Sequence, residues 1–248
     1  MSPTPTTDLS LPSPAPDELH LWGFRLTEGD PVPAPEEVLD SSELARAEAF
    51  RFPRDRRRYV RSHCFLRSVL AAYLGIEASA VTFAGSPKGK PLLDSRAHAT
   101  ALDFNLTHAG ELALIAVTDG IPVGIDVEPI SDGQTDLQVA TRFFALAEAA
   151  ALASLPPPER ARAFCATWTR KEAFVKACGE GLSCALDSFA VEICPETSRP
   201  FFHLPPHYSG PWSLVSFEPA AGYLSAVACA TEDPSWVFRW WPPEAQSR

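Results

Sequence analysis

Two long segments of this chain share one pattern, and that duplication limits its possible folds more than any other feature. In the first, Asp55 can cap a helix that closes at Gly75, and Pro53 breaks the chain just before it. Tyr59, Leu66, Leu70, Tyr73 and Leu74 recur there at steps of three, four and seven. The second runs from Glu159 to Cys178, with Gly179 as a natural stop. Strand-type segments follow the first, at 81–84, 102–106, 112–118 and 123–127, and the second, at 189–193, 212–217 and 223–230. A strand over 19–26, a helix over 42–50 capped by Ser41 or Ser42, and a helix over 137–153 ending before Pro156 complete the list. A long helix followed by antiparallel-type strands, twice over, predicts an α+β protein of two similar lobes meeting near 119–122. The expected division is a disordered Pro-rich tail at 1–17, an N-terminal lobe at 18–120, a C-terminal lobe at 121–240 and a tail at 241–248.

Composition narrows the function. The 248 residues carry a net charge of −10, which argues against generic nucleic-acid or membrane-surface binding. No stretch of 18 apolar residues is free of charge, and the N-terminus has neither the basic region nor the apolar core of a signal peptide. Six Cys form no CxxC pair, which suits reduced thiols, and the expected location is the cytoplasm. The His203/His207 pair has metal-ligand spacing, but Pro205 and Pro206 deny it a helix. There are 17 Arg against four Lys, which are Lys88, Lys90, Lys171 and Lys176. Arg54, Arg57, Arg58 and Arg61 crowd the first turns of the first long helix. The dipole is unfavourable to them there unless an anion lies close, or they form a solvated face.

Four local motifs can carry chemistry. In Val123-Gly-Ile-Asp-Val-Glu128, a strand projects Asp126 and Glu128 to one side and Ile125 and Val127 to the other. Two carboxylates aimed at one point repel each other, and a hard divalent cation such as magnesium resolves that; alone, the pattern also fits a solvated strand face. In Trp168-Thr-Arg-Lys-Glu-Ala-Phe-Val-Lys176, Glu172 and Lys176 stand one helical turn apart, as a surface pair also would. Lys171 falls within the apolar stripe of Phe164, Trp168, Val175 and Cys178, where an ammonium needs a partner. Ser86-Pro-Lys-Gly-Lys-Pro91 can offer backbone N–H groups and ammonium charge to phosphate, or be an ordinary turn; it lacks Walker-loop spacing. Phe104-Asn-Leu-Thr-His-Ala-Gly110 ends a strand in Thr-His.

Taken together and in this order, the Arg-rich helix, GKP, FNxTHxG, GIDVE and WxxKEAxxK resemble the Sfp-type 4′-phosphopantetheinyl transferases, in their W/KEA branch. The likeness spans roughly residues 21–230. It implies two α/β lobes related by a pseudo-twofold, acting as a monomer. It also implies transfer of phosphopantetheine from coenzyme A to a serine of an apo acyl or peptidyl carrier domain, releasing 3′,5′-ADP. By the resemblance, Asp126, Glu128 and Glu172 hold Mg2+, with Mn2+ as a substitute. Asp126, Glu172 and Lys176 form the catalytic set, with Glu172 as general base and Lys176 on the pyrophosphate. Coenzyme A is bound by Arg46, Arg58, Lys88, Gly89, Lys90, Pro91, Thr107, His108, Lys171 and Lys176, with Lys171 supporting the same anionic cluster. Three positions depart from the family pattern: Thr107 and Ala109 replace serines, and Glu43 stands where some members carry a basic 3′-phosphate ligand. A non-catalytic coenzyme A-binding relic is the alternative.

Overall fold

A computed structural model describes residues 10–27, 34–85, 90–130, 135–179, 181, 184–194, 201–208 and 210–243. In chain order the elements are β1 (Glu18–Arg25), α1 (Pro35–Val38), α2 (Ser41–Glu48), α3 (Pro53–Leu74), β2 (Phe83–Ala84), β3 (Leu92–Leu93), β4 (Leu102–Ala109), β5 (Leu112–Asp119) and β6 (Val123–Pro129). They continue as α4 (Thr135–Phe143), α5 (Leu146–Ser154), α6 (Pro157–Cys178), β7 (Ala190–Val191), β8 (Phe201–His203), β9 (Ser213–Phe217), β10 (Tyr223–Cys229) and β11 (Ser235–Trp240). The expected α+β class holds.

Two sheets carry the fold, in the orders β11-β1-β5-β4 and β6-β10-β9. Strand alternation builds the layers. Trp22, Phe24, Phe104, Ile115 and Val117 face α3, where Phe65, Leu66, Val69 and Leu70 cover them. The opposite set, Leu19, Leu21, Leu112, Leu114 and Ala116, packs against Val123, Ile125, Val127 and Val227 of the second sheet. The far face of that sheet, through Ala226 and Ala228, meets Ala173, Phe174 and Ala177 of α6. The order is helix, sheet, sheet, helix. Gly124 sets the innermost distance: a Cβ there would collide with the α6 backbone at Ala173 O and Ala177 N.

The long helices begin earlier than expected. Pro53 opens α3 rather than breaking the chain before it, and α6 opens at Pro157, because proline is tolerated in a first helical turn, where the N–H has no partner anyway. Asp55 therefore lies inside the first turn and Phe52 is the N-cap. Both helices end at a left-handed glycine, Gly75 at φ 64° and Gly179 at φ 66°. The cap of α2 is Asp40, not Ser41 or Ser42: its carboxylate accepts from Ser42 N and Glu43 N, and Glu43 reaches back to Asp40 N at 3.0 Å. The single helix expected over 137–153 is two, interrupted at Phe144 and Ala145, where Glu148 accepts the Ala145 N–H at 2.8 Å.

The expected division also needs correction at both ends. Strand β11 pairs in parallel with β1, from Glu18 opposite Ser235 to Gly23 opposite Trp240, so it belongs to the first sheet and not to a C-terminal lobe. Trp241 continues it, donating to Gly23 O at 2.8 Å and meeting the Trp22 ring edge-on. Residues 10–17 are not a loose tail either, since Leu11 N donates to Ala72 O at 2.9 Å and its side chain packs on the α3 core. Residues 1–9 and 244–248 lie outside the described residues. Among the described residues no helix is long and apolar enough to cross a membrane.

Candidate active site

The site grows from a seam between the two sheets. Strands β4 and β6 lie side by side without a ladder, and β4 side chains supply the missing partners. Asp103 Oδ2 accepts Val123 N at 2.9 Å, and Asn105 Oδ1 accepts Ile125 N at 2.9 Å. Each would otherwise be a buried N–H left unpaired, at about 1–3 kcal/mol. The two-residue period then carries Thr107 to the next position, where its hydroxyl donates to Asp126 Oδ1 at 3.2 Å. Lys90 pins the end of the seam, donating to Asp103 Oδ2 at 2.8 Å and to Val123 O at 2.9 Å.

Asp126 is the centre. As the strand period predicts, it shares the α6-facing side of β6 with Gly124 and Glu128. It is buried, and its Oδ1 accepts Lys176 Nζ at 2.6 Å. The same ammonium donates to Ile125 O at 3.2 Å and to Thr107 Oγ1 at 3.4 Å. Asp126 Oδ2 is buried with no hydrogen-bond partner. Burial pushes the Asp126 carboxyl above the usual range, with Lys176 opposing. Glu128 is pushed up to about 7, first by burial and then by the Asp126 and Glu172 charges, with Lys176 and a Trp168 hydrogen bond opposing. Glu172, one turn before Lys176 on α6, is raised by burial and then by Asp126. Three carboxyls share one ammonium, so the deprotonated site lacks positive charge.

A hard divalent cation fits that deficit. Among the described residues no three His, Cys, Asp or Glu side chains form a ready-made metal cage. Magnesium does not require one: it is held by one or two carboxylates and completes its shell with water and phosphate oxygens. The unpartnered Asp126 Oδ2 is the free donor such an ion needs. Beside it opens a cleft of ≈ 640 Å³, lined by Lys90, Pro91, Asn105, Phe143, Trp168, Glu172 and Lys176 among others. Trp168 is braced by Phe144 and Phe164. Apolar walls with a few convergent charges are the usual form of a small-molecule site.

The structure thus brings together Asp126, Glu128, Glu172, Lys176 and Thr107, with Lys90 and Pro91 at the cleft. Lys88 and Gly89 lie outside the described residues. Lys171 does not join the anionic cluster. Five residues before Lys176 it lies about 140° around the helix, fully buried, with Nζ 2.9 Å from Glu148 Oε2 and donating to Leu186 O and Phe189 O at 2.7 Å each. Arg58 is engaged by Glu111 Oε1 at 2.6 Å. Arg46 is exposed, with its guanidinium 5.9 Å from the Tyr59 ring centre. His108 alternates to the α3 side of β4, away from Thr107. Its pKa is lowered first by desolvation and then by the nearby His63, Lys176 and Arg58. Glu43 is turned inward, to Arg67 and His63. Sequence reasoning missed Asp103 and Asn105 as seam partners, although their spacing with Thr107 was readable, and it missed Glu148 and His63 altogether.

A helix-backed pair of sheets, with an acid-and-lysine centre that a divalent cation fits, beside a cleft large enough for a small-molecule ligand, is an arrangement suited to phosphoryl transfer. Residues 122–231 match the 4′-phosphopantetheinyl transferase superfamily, and residues 34–119 match the N-terminal region described for 4′-phosphopantetheinyl transferase. The 4′-phosphopantetheinyl transferase HetI of Nostoc sp. is 37% identical over 86% of this chain and 88% of its own length. The transferase psf-1 of Bacillus pumilus is 34% identical, covering 74% and 75%. Sfp of Bacillus subtilis is 31% identical, covering 76% and 80%. The chain belongs to the 4′-phosphopantetheinyl transferase superfamily.

Proposed function

We propose that this transferase moves 4′-phosphopantetheine from coenzyme A to a serine hydroxyl of apo acyl or peptidyl carrier domains, using the Asp126 centre. The observation that carries the reading is the buried Asp126 carboxylate, with Oδ1 bonded to Lys176 and Thr107 and Oδ2 unpartnered. Asp126, Glu128 and Glu172 are the residues that hold Mg2+, or Mn2+ in its place. When bound, the ion neutralises charge on the pyrophosphate. Glu172, whose carboxyl is raised above its ordinary range by burial and then by the Asp126 charge while no cation is bound, takes the serine proton. The serine oxygen attacks the phosphorus that bears pantetheine, the bond to the bridging oxygen breaks, and Lys176 stabilises the departing 3′,5′-ADP. Lys90, Pro91, Thr107, His108 and Arg46 line the path of coenzyme A. The protein acts as a monomer in the cytoplasm. A non-catalytic relic has no use for three carboxylates whose charge is left uncompensated.

The test is to incubate the protein with coenzyme A, Mg2+ and apo carriers of peptide, polyketide and fatty-acid type, and to weigh the carriers. The expected result is gain of the phosphopantetheine mass on at least one, abolished by chelator and restored by added Mg2+. No modification of any carrier overturns the proposal.

A further inference from the structure

Asn105 of β4 has an amide that the seam uses only in part. The residue is 5% exposed, and its Oδ1 accepts Ile125 N at 2.9 Å. A backbone N–H can only donate, so that bond fixes which end of the amide is oxygen. Nδ2 is thereby turned the other way with two N–H groups, and it makes no hydrogen bond among the described residues. Asn105 lines the cleft beside the Asp126 centre. Its neighbours on the same face of β4 are committed, Asp103 to Val123 N and Lys90, and Thr107 to Asp126. In that row Asn105 alone keeps a donor for a ligand. A donor shut away from water without an acceptor is costly, so the molecule that fills the cleft is expected to bring one.

The lining selects one half of coenzyme A. Among the described residues the cations of the cleft are Lys90 and Lys176, and each already faces a carboxylate, Asp103 at 2.8 Å and Asp126 at 2.6 Å. Glu172 adds a further carboxyl. A 3′-phosphate needs uncommitted cations and meets none on these walls. Phe143, Trp168, Val175 and Leu186 make much of the remaining wall. They suit the uncharged half, pantetheine, whose pantoyl group carries a dimethyl carbon followed by a hydroxyl and an amide carbonyl. The reach agrees as well. Thr107 touches Asp126, and Asn105 lies two residues back along the strand, about 7 Å away. The pantoyl group is joined directly to the pyrophosphate, so with the pyrophosphate at Asp126 its oxygens come within reach of Nδ2.

We propose that Asn105 is a specificity-determining residue for the donor, with Nδ2 donating to an oxygen of the pantoyl group. The inference deepens the coenzyme A reading above and rests on it. Asn105 then serves twice: its oxygen holds β6 in place, and its nitrogen holds the arm beside the phosphorus that travels with it.

The experiment is calorimetry in Mg2+ on wild type and Asn105→Asp, with two ligands. One is coenzyme A. The other is the neopentyl ester of adenosine 3′-phosphate 5′-diphosphate, which keeps the charge and the dimethyl carbon and lacks every pantetheine oxygen. Asn105→Asp keeps an acceptor for Ile125 N and puts a second oxygen where both N–H groups were. Relative to the ester, Kd for coenzyme A is expected to rise about tenfold in the variant, which is about 1.4 kcal/mol at 25 °C. Repulsion by the new carboxylate acts on both ligands alike and leaves the ratio unchanged. An unchanged ratio, including an equal loss with both, overturns the proposal. If Asn105→Asp fails to fold, the wild type decides alone: a tenfold preference for coenzyme A supports the proposal and equal binding overturns it. The two readings fail differently. Wild type that binds neither compound overturns the coenzyme A reading itself, whereas binding of both with an unchanged ratio removes only the role of Asn105.

Discussion

Replacing Lys171 by alanine is expected to damage the fold far more than the chemistry. The Lys171 side chain is fully buried and that of Glu148 is 2% exposed. Glu148 also accepts Ala145 N at 2.8 Å and Val191 N at 2.7 Å. Alanine leaves that carboxylate buried without a countercharge and deprives Leu186 O and Phe189 O of a donor. Breaking one side of a buried pair costs about 3–5 kcal/mol. For a chain of this size that lowers Tm by about 6–20 °C. Adding Glu148→Gln to the same variant removes the stranded charge and is expected to recover part of the loss. The assays are a thermal melt followed by circular dichroism, and phosphopantetheine transfer at low temperature. Transfer by folded Lys171→Ala stays within about threefold of wild type. A melt within about 2 °C of wild type, with transfer reduced a hundredfold or more, would show that Lys171 works on the substrate and refute the reasoning.

Two further outcomes follow from the same geometry. Gly124→Ala forces β6 away from α6, because the new Cβ meets the α6 backbone on both sides. A loss of about 1–3 kcal/mol by urea titration is expected, together with a fall in transfer of tenfold or more, since Asp126 moves with the strand. Glu128 sets a pH dependence: its folded pKa, about 7, is raised above the ordinary value, first by burial. A raised carboxyl favours the folded state while protonated. In the metal-free protein that contribution is present below about pH 4.5 and is lost as pH rises through about 7. Mg2+ needs the deprotonated form, so its stabilisation of the melt is expected to be larger at about pH 8 than at about pH 6, and Glu128→Gln should flatten the difference. Equal shifts at the two pH values would count against the assignment.

The face of β6 was legible because alternation needs only neighbouring letters. Asp126 and Glu128 had to share a side, and the apolar Ile125 and Val127 had to fill the other. The surroundings of Lys171 were not legible. Helical spacing placed the lysine on an apolar stripe, but its partner lies 23 positions earlier on the preceding helix, and spacing within one helix carries no sign of how two helices dock. Strand β11 was missed for a related reason: its parallel partner, β1, lies at the opposite end of the chain, and local pattern carries no sign of that pairing. Glu43 read as a departure from a ligand pattern, yet Asp40-x-x-Glu43 is a capping signature, and the cap turns the carboxylate inward to Arg67 and His63. The seam held by Asp103 and Asn105 depends on two sheet edges meeting, which is a tertiary fact, although the two-residue spacing of its donors was present in the letters.

The central claim is that Asp126 Oδ2 is the free donor of a divalent-cation site shared with Glu128 and Glu172. Calorimetric titration of Mn2+ into wild type and Asp126→Asn, each saturated with coenzyme A, tests it most directly. The account predicts one metal site in the wild type, and at least a tenfold weaker site in a variant that is still folded by its melt. Equal Mn2+ affinity in the two proteins would contradict it.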